Sequence, residues 1–425
     1  MSLRTHPLFA TLFSLKGNPR ACVLTEPLWG IPYNLYIPYA SLYMLALGLD
    51  DAGIGLLASI GMAFQVVFAL LSGAITDKFG RKRTTFYSDL LSWTIPCLIW
   101  AVSQNFYFFL AAAIFNSTWR ISSNSWTCLL VEDADQDQMV NIYAWIYISG
   151  LLAAFVSPIA GLLVGQFSLV PTVRGLYLFS FVMMTTKFVV MNAYVTETRQ
   201  GQVRLDETRG QPLASLLQGY QGVFGQLLKT PRTLVTLGIM LVMSITLLIN
   251  STFWAILVTE RLHVPEQAIA IFPFVKSAMM LIFFFFVLQR VGSRVFLKPM
   301  LIGLACYIIG QGLLVGIPAT LPLAGVIAAL VAVSLLEACA AALVGPFADS
   351  LVAATIDPAE RARIQAILYV IVIVLTSPFG WIAGQLSSIN KVLPFLLNIA
   401  LFAIGAVLVL WAARLAKNTP QGEAV

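Results

Sequence analysis

The chain has 425 residues, of which 59% are apolar and only 44 are charged, 25 basic and 19 acidic. A soluble domain carries charge on roughly a quarter of its residues, and so few charges cannot cover a water-soluble protein of this size, so lipid must cover the rest. Soluble, disordered and secreted classes are excluded, and the net charge of +6 sits in small groups between apolar runs, a pattern of membrane orientation rather than nucleic-acid binding.

Charge-free runs at 27–49, 52–76, 90–119, 138–173, 233–259 and 299–336 delimit the spans. The last run has 38 residues with Pro318 and Pro322 near its middle, which reads as a helix, a tight turn and most of a second helix. Along the whole chain the pattern predicts twelve transmembrane helices, near 22–49, 53–77, 85–104, 106–131, 139–166, 173–195, 233–258, 266–289, 296–316, 321–349, 362–386 and 391–414. The fold class is therefore an all-α integral membrane protein. The first apolar run is of spanning length without a cleavage pattern, so no signal peptide is expected.

With the N-terminus in the cytoplasm, nineteen of the 25 basic residues fall on inner segments and only Arg174, Arg261 and Lys391 on outer ones. That asymmetry places both termini inside, in a multi-pass protein expected in the cell membrane. The remaining three, Arg120, Lys187 and Lys276, fall within spans. Segment 196–232 separates spans six and seven; Leu213, Leu216, Leu217, Tyr220, Phe224, Leu227 and Leu228 follow helical spacing there, which predicts an amphipathic helix on the inner surface, a plain linker being the alternative.

The two halves repeat each other. Asp77-Lys78-Phe79-Gly80-Arg81-Lys82 follows span two and Gln289-Arg290-Val291-Gly292-Ser293-Arg294 follows span eight, with the glycines 212 positions apart. Ser157-Pro158 with Gly165-Gln166 in span five matches Ser377-Pro378 with Gly384-Gln385 in span eleven, with the prolines 220 apart. Two marks in the same order indicate two pseudo-symmetric six-helix bundles, 1–195 and 233–425, joined by the 196–232 linker.

The run Gly73-Ala74-Ile75-Thr76-Asp77-Lys78-Phe79-Gly80-Arg81-Lys82-Arg83 closely resembles the signature between spans two and three of the major facilitator superfamily. Topology and the decayed second copy agree, so the resemblance covers essentially the whole chain. It implies a cytoplasmic gate motif of Gly73, Asp77, Gly80 and Arg81, in which Asp77 and Arg81 latch the halves. On physical grounds Gly73 permits close helix approach, Asp77 suits the positive N-terminal end of a neighbouring helix, and the basic residues hold the loop in the cytoplasm. Gln289 replaces the Asp in the second copy, so the latch is expected on one side only. The acidic run Glu132-Asp133-Ala134-Asp135-Gln136-Asp137 is either a partner for Arg81 or Arg83 or a solvated loop; Asp357-Pro358-Ala359-Glu360-Arg361 is its family-like counterpart before span eleven.

Ionisable groups at membrane depth cost about 2.5 to 3.5 kcal/mol each even on the mildest scale, so they mark cavities or pathways. Asn116, Arg120, Asn124 and Thr127 form one polar face of span four, and Glu337 lies about halfway through span ten, 217 positions beyond Arg120. The resemblance implies that spans one, four, seven and ten line a central cavity, with Arg120 and Glu337 facing each other across it. Lys276 is a partner for Glu337 or the substrate, or a purely structural cation. Asn250, Ser251, Thr252 and Trp254 give span seven a polar centre suited to binding. Tyr33, Tyr36, Tyr39 and Tyr43 stripe span one as cavity wall or helix packing, with the wall preferred because phenol groups need partners in lipid. Lys187 and Asp89, nearer the cytoplasmic ends, are expected to snorkel, and Glu26 to sit at the interface, proton exchange being its alternative role. Ser157-Pro158-Ile159-Ala160-Gly161 is similar to the Gly-Pro motif of span five in drug antiporters, but Ser stands for the leading Gly and the second terminal Gly is absent.

A secondary active transporter for a small-molecule substrate follows, with alternating access and proton-coupled efflux of an amphipathic or drug-like compound as the leading form. An organic-anion or metabolite importer or facilitator of the same fold is the alternative. No Walker loop is present, and no His/Cys/Asp cluster or nucleophile motif supports a membrane enzyme; a channel is disfavoured by the paired halves. Cys22, Cys97, Cys128, Cys306 and Cys339 lie in apolar stretches without CxxC spacing, and His6 and His263 are far apart, so neither a disulfide framework nor a zinc site is indicated. No cofactor and no nucleic-acid partner are expected. The expected partners are the lipid bilayer, the solute and coupling protons, and the chain is expected to be a monomer.

Overall fold

Proline decides where the first span bends. Pro27, Pro32 and Pro38 each remove a backbone donor, and the span consequently runs as Gly17–Thr25, Pro27–Tyr36, a single tight turn at Ile37–Tyr39, and Ala40–Ala46. The computed structural model describes residues 12–135, 138–213, 231–286, 297–355 and 361–417, and each of the twelve predicted spans contains helix there. Nine of the helices among the described residues are long and apolar enough to cross a membrane. The predicted spans outside that set, near 22–49, 85–104 and 106–131, are helical but interrupted.

Span three illustrates the cause of an interruption. Arg81–Asp89 gives way to a wide π turn at Leu90–Thr94 before Ile95–Val102 resumes the α geometry. Pro96 has no N–H to offer the Ser92 carbonyl four residues back, and the Asn116 amide donates to that carbonyl instead, at 2.8 Å. Span four breaks at Thr118, between Phe106–Ser117 and Trp119–Val131.

The chain forms two compact units, residues 1–43 with 60–219 and residues 44–59 with 220–425. In the first, Cys22, Leu129, Leu130, Ile142 and Met191 are among the side chains of one buried cluster. In the second, Val235, Ile239, Met300, Leu304, Val344 and Val409 belong to another, in which the rings of Tyr307 and Phe402 stack at 4.5 Å. Large apolar side chains such as Leu162, Leu247 and Val407 stand exposed, as a lipid-facing surface requires. The second-copy motif at 289–294, most of the predicted amphipathic helix, and 356–360 lie outside the described residues.

Candidate functional site

The loop after span two is built around a glycine and a borrowed carboxylate. Helix Asp51–Phe79 ends at Gly80, whose φ of 84° is reached readily only without a side chain, and Arg81–Asp89 starts directly after it. The backbone N–H groups of Arg81 and Lys82 donate to the two oxygens of Glu197 at 2.8 and 3.1 Å. A carboxylate thus sits on the positive end of that helix. Sequence reasoning gave a helix-end role to Asp77; the carboxylate found at this helix end is Glu197.

Asp77 pairs instead with Arg81 at 3.0 Å, and the Arg81 Nε donates to Glu132 at 3.1 Å. Burial works against the Arg81 charge, but Glu132 and Asp77 hold its affinity for the proton above the ordinary arginine value. The Thr198 hydroxyl donates to the same Glu132 carboxylate, and Asp133 accepts from Asn18 and from the Arg199 backbone. The first part of the linker is therefore docked on the motif loop, with Lys78 donating to the Gln211 carbonyl and Thr208 to the Asp77 carbonyl. Gly73 lies part-buried in the same helix as Asp77, and Arg83 is exposed.

On span four, each predicted polar residue has a partner inside the first unit. Asn116 serves the Ser92 carbonyl. The Arg120 Nε donates to Gln65 at 3.0 Å, and its guanidinium lies 4.0 Å from the centre of the Trp119 ring. Asn124 donates to the Thr76 hydroxyl at 3.3 Å. Tyr36, Tyr39 and Tyr43 are buried, Tyr36 at 2% exposure against Tyr177, while the Tyr43 hydroxyl donates to the Trp100 carbonyl and accepts from Arg174. The rings of Tyr36 and Tyr43 pack against Trp100, Tyr177 and Phe109 of neighbouring helices.

In the second unit the predicted residues converge. Glu337 on helix Leu323–Thr355 is 7% exposed and accepts from Gln311 Nε2 at 2.8 Å. The Lys276 Nζ lies 3.5 Å from its other oxygen. Asn250 Oδ1 accepts from Gln311 at 3.2 Å and from Asn398 at 3.0 Å, so one network joins side chains from five helices. Trp254, one turn beyond Asn250, meets the Phe272 ring edge-on at 5.1 Å. Gln311 and Asn398, both fully buried, were not singled out from the sequence, although a lone amide within an apolar helix was the available signal.

A second cluster of the same unit closes the other end of the helices. Lys391 bridges Asp51 and Glu260, each at 2.7 Å, and Ser387 donates to Asp51, which is 3% exposed. Next to it Gly55 faces Gly380 and Gly384 so closely that a Cβ on Gly55 would stand 2.8 Å from the Gly384 Cα. Among the described residues no group of three or more His, Cys, Asp and Glu side chains is arranged to hold a metal ion.

Apolar helices with polar networks at their centres and a charged loop after the second span define a polytopic membrane protein of the solute-carrying kind. The family model described as Major Facilitator Superfamily matches residues 29–334, and the chain belongs to that family. It is thus a membrane transporter of a small solute rather than an enzyme. No curated protein matches the chain in sequence. Among solved structures, the nucleoside transporter NupG is similar with 16% identity and a TM-score of 0.69, over 95% of this chain and 100% of that one. A POT family transporter in complex with 5-aminolevulinic acid is similar with 14% identity and a TM-score of 0.70, over 95% and 98%. The human organic anion transporter MFSD10 (TETRAN) is similar with 16% identity and a TM-score of 0.62, over 95% and 100%. At these identities the likeness is one of fold.

Proposed function

We propose that the chain is a secondary active transporter working by alternating access, driven by protons, that exports an amphipathic, drug-like compound across the cell membrane as a monomer with both termini in the cytoplasm. The observation that carries this reading is Glu337, a carboxylate 7% exposed near the middle of helix Leu323–Thr355, held by Gln311 and set beside Lys276. Proton affinity of a buried carboxyl responds to hydration and to the distance of a neighbouring cation. Lys276, whose side chain is 40% exposed, is the partner whose distance varies most easily. Arg120, Asn116, Asn124, Tyr36, Asn250 and Trp254 complete the proposed substrate-binding or coupling set, with Gly73, Asp77, Gly80 and Arg81 as the proposed gate motif. The part-buried faces of Trp254 and Trp119 suit an amphipathic solute.

The test is reconstitution in liposomes with a panel of cationic amphipathic dyes and organic anions under an imposed pH gradient. Gradient-driven dye movement is expected, lost in Glu337→Gln while exchange at equal pH persists. Accumulation that survives Glu337→Gln removes this residue from coupling. The exposure of Lys276 favours a second reading, an organic-anion or metabolite importer or facilitator, in which Lys276 and Arg120 meet the anion. Anion uptake lost in Lys276→Met and Arg120→Met, with no dye movement in the wild type, selects it.

A further inference from the structure

The buried charges of the first unit form an ion pair. The Lys187 Nζ stands 2.8 Å from Glu26, with side-chain exposures of 6% and 13%, and Asp89 is 6% exposed. Neither Lys187 nor Asp89 thus snorkels to water as its place in the sequence predicts. The second unit instead sets three neutral amides against one carboxylate, and an amide, unlike a charge, can be turned end for end.

Glu337 fixes which way each amide points. An ionised carboxylate only accepts, so the Gln311 end that lies 2.8 Å from its Oε1 is the NH2 group. The Gln311 Oε1 then faces Asn398, whose NH2 group donates to it at 3.5 Å and to the Asn250 Oδ1 at 3.0 Å. Gln311 Nε2 also donates to the Asn250 Oδ1, at 3.2 Å, so two donors converge there and Asn250 has to present its oxygen. The other end of that amide, Nδ2, makes no hydrogen bond among the described residues, and Asn250 is only part-buried. Asn398 is fully buried, and its Oδ1 has no partner.

The same contacts form with every polarity reversed. When a proton from water forms an O–H bond on the Glu337 Oε1, that group donates to Gln311, which turns to present Oε1. Gln311 Nε2 then points at Asn398, Asn398 turns to present Oδ1, and Asn250 turns to donate from Nδ2 to both. Four hydrogen bonds replace four, and the Asn398 oxygen that had no partner gains two. Of the helices around Glu337, Leu297–Gly316 presents Gln311 and Ile271–Phe286 presents Lys276, the only charged side chain paired with it among the described residues. At 40% exposure Lys276 stays hydrated when the carboxylate is neutral.

We propose that Gln311, Asn398 and Asn250 form an amide relay that turns over with the proton on Glu337 and so switches the free end of Asn250 from donor to acceptor. Gln311 and Asn398 are positioning residues, and Asn250, one turn before Trp254, is where the solute meets the change. A solute that reaches Asn250 through a carbonyl or ether oxygen is held while Glu337 is ionised and released when it is protonated. That mutual exclusion is what an exporter driven by incoming protons requires. The relay rests on the reading of Glu337 as the proton carrier.

The test is acid-minus-base infrared difference spectroscopy of the full-length protein in lipid nanodiscs, without solute, between about pH 5 and about pH 10, with a heavy carbon isotope in the side-chain carbonyl of glutamine. A carboxylic-acid band that is absent in Glu337→Gln is expected, accompanied at the same midpoint by a glutamine carbonyl band that moves with the isotope and is lost in Gln311→Met. In Asn398→Leu the turned Gln311 would aim its NH2 group at a side chain that cannot accept, so the glutamine band should be lost while the acid band remains. An acid band from Glu337 with no glutamine band at its midpoint overturns the relay and leaves proton carriage by Glu337 standing. Absence of any acid band from Glu337 refutes that carriage, and the relay with it. A glutamine band that persists in Gln311→Met, or is undiminished in Asn398→Leu, overturns the relay alone. If either variant does not accumulate, the isotope-shifted band of the wild type and its loss in Glu337→Gln decide the matter.

Discussion

Arg81 shows how one residue can be fixed by three separated stretches of chain. Its side chain is 5% exposed and lies between Asp77, 34% exposed, and Glu132, 17% exposed. The two partners are unequal, because an exposed ion pair is worth under about 1 kcal/mol, whereas a shielded hydrogen bond to a charged group is worth about 1.5 to 3 kcal/mol. Glu132→Gln should therefore lower thermal stability clearly more than Asp77→Asn, measured by unfolding of the purified proteins in one detergent. A latch role for Asp77 would appear differently, as lost transport at preserved stability, and unchanged transport in Asp77→Asn removes it. The sequence disclosed Asp77 and Arg81 through a motif, and Glu132 as one of two open readings. Glu197 gave no comparable signal, since a carboxylate that caps a helix more than a hundred residues upstream follows no local pattern. Asn116 was visible as polar, but its task follows from Pro96, which sits on another helix.

At the scale of helices, hydropathy was enough to find helix in each of the twelve ranges among the described residues, nine of the helices there being long and apolar enough to cross a membrane, because burial in lipid imposes length and apolarity on a span. It did not locate the breaks, which depend on single prolines and on which neighbour supplies the missing hydrogen bond. Close crossings were also hidden. Helix Asp51–Phe79 meets Arg361–Ile389 at Gly55, Gly380 and Gly384 with no room for a side chain. Gly55→Val should cost about 1 to 3 kcal/mol through overpacking, seen as a lowered melting temperature; an unchanged one would mean that the crossing is not close. Beside that crossing, burial disfavours the Lys391 charge, but hydrogen bonds to Asp51 and Glu260 hold its proton affinity above the ordinary lysine value. A lysine raised in the folded state contributes stability fully below its unfolded value of about 10.4, and loses it as pH rises through the higher folded value. Melting temperature should thus show an alkaline step above about pH 10 that Lys391→Met abolishes, while that variant melts lower at neutral pH because Asp51 is left buried without its cation.

For the whole molecule the decisive sequence feature was charge asymmetry, with nineteen basic residues on one set of loops and three on the other. It predicts that Gln202→Cys reacts with an impermeant maleimide only from the cytoplasmic side and His263→Cys only from the outside, both positions being exposed. Labelling of both from one side would contradict the assigned topology. Within each unit, buried polar side chains divide into those that replace missing backbone partners, such as Asn116, and those that are ionisable, such as Glu337 and Asp89. Helical periodicity treats the two kinds alike, which is why the polar face of span four was legible while its division of labour was not.

The carboxylate that closes the amino end of the Arg81 helix comes from the stretch after the sixth span, and this bears on where foreign sequence can be accommodated. A reporter domain inserted between Val195 and Thr196 would pull Glu197 off the two N–H groups it serves and take Thr198 from Glu132. The same domain inserted after Gln211 would leave those bonds, and the Lys78 contact to the Gln211 carbonyl, in place. For anyone building a fluorescent or split version of this transporter, the usable joint therefore begins past Gln211 rather than at the edge of the membrane.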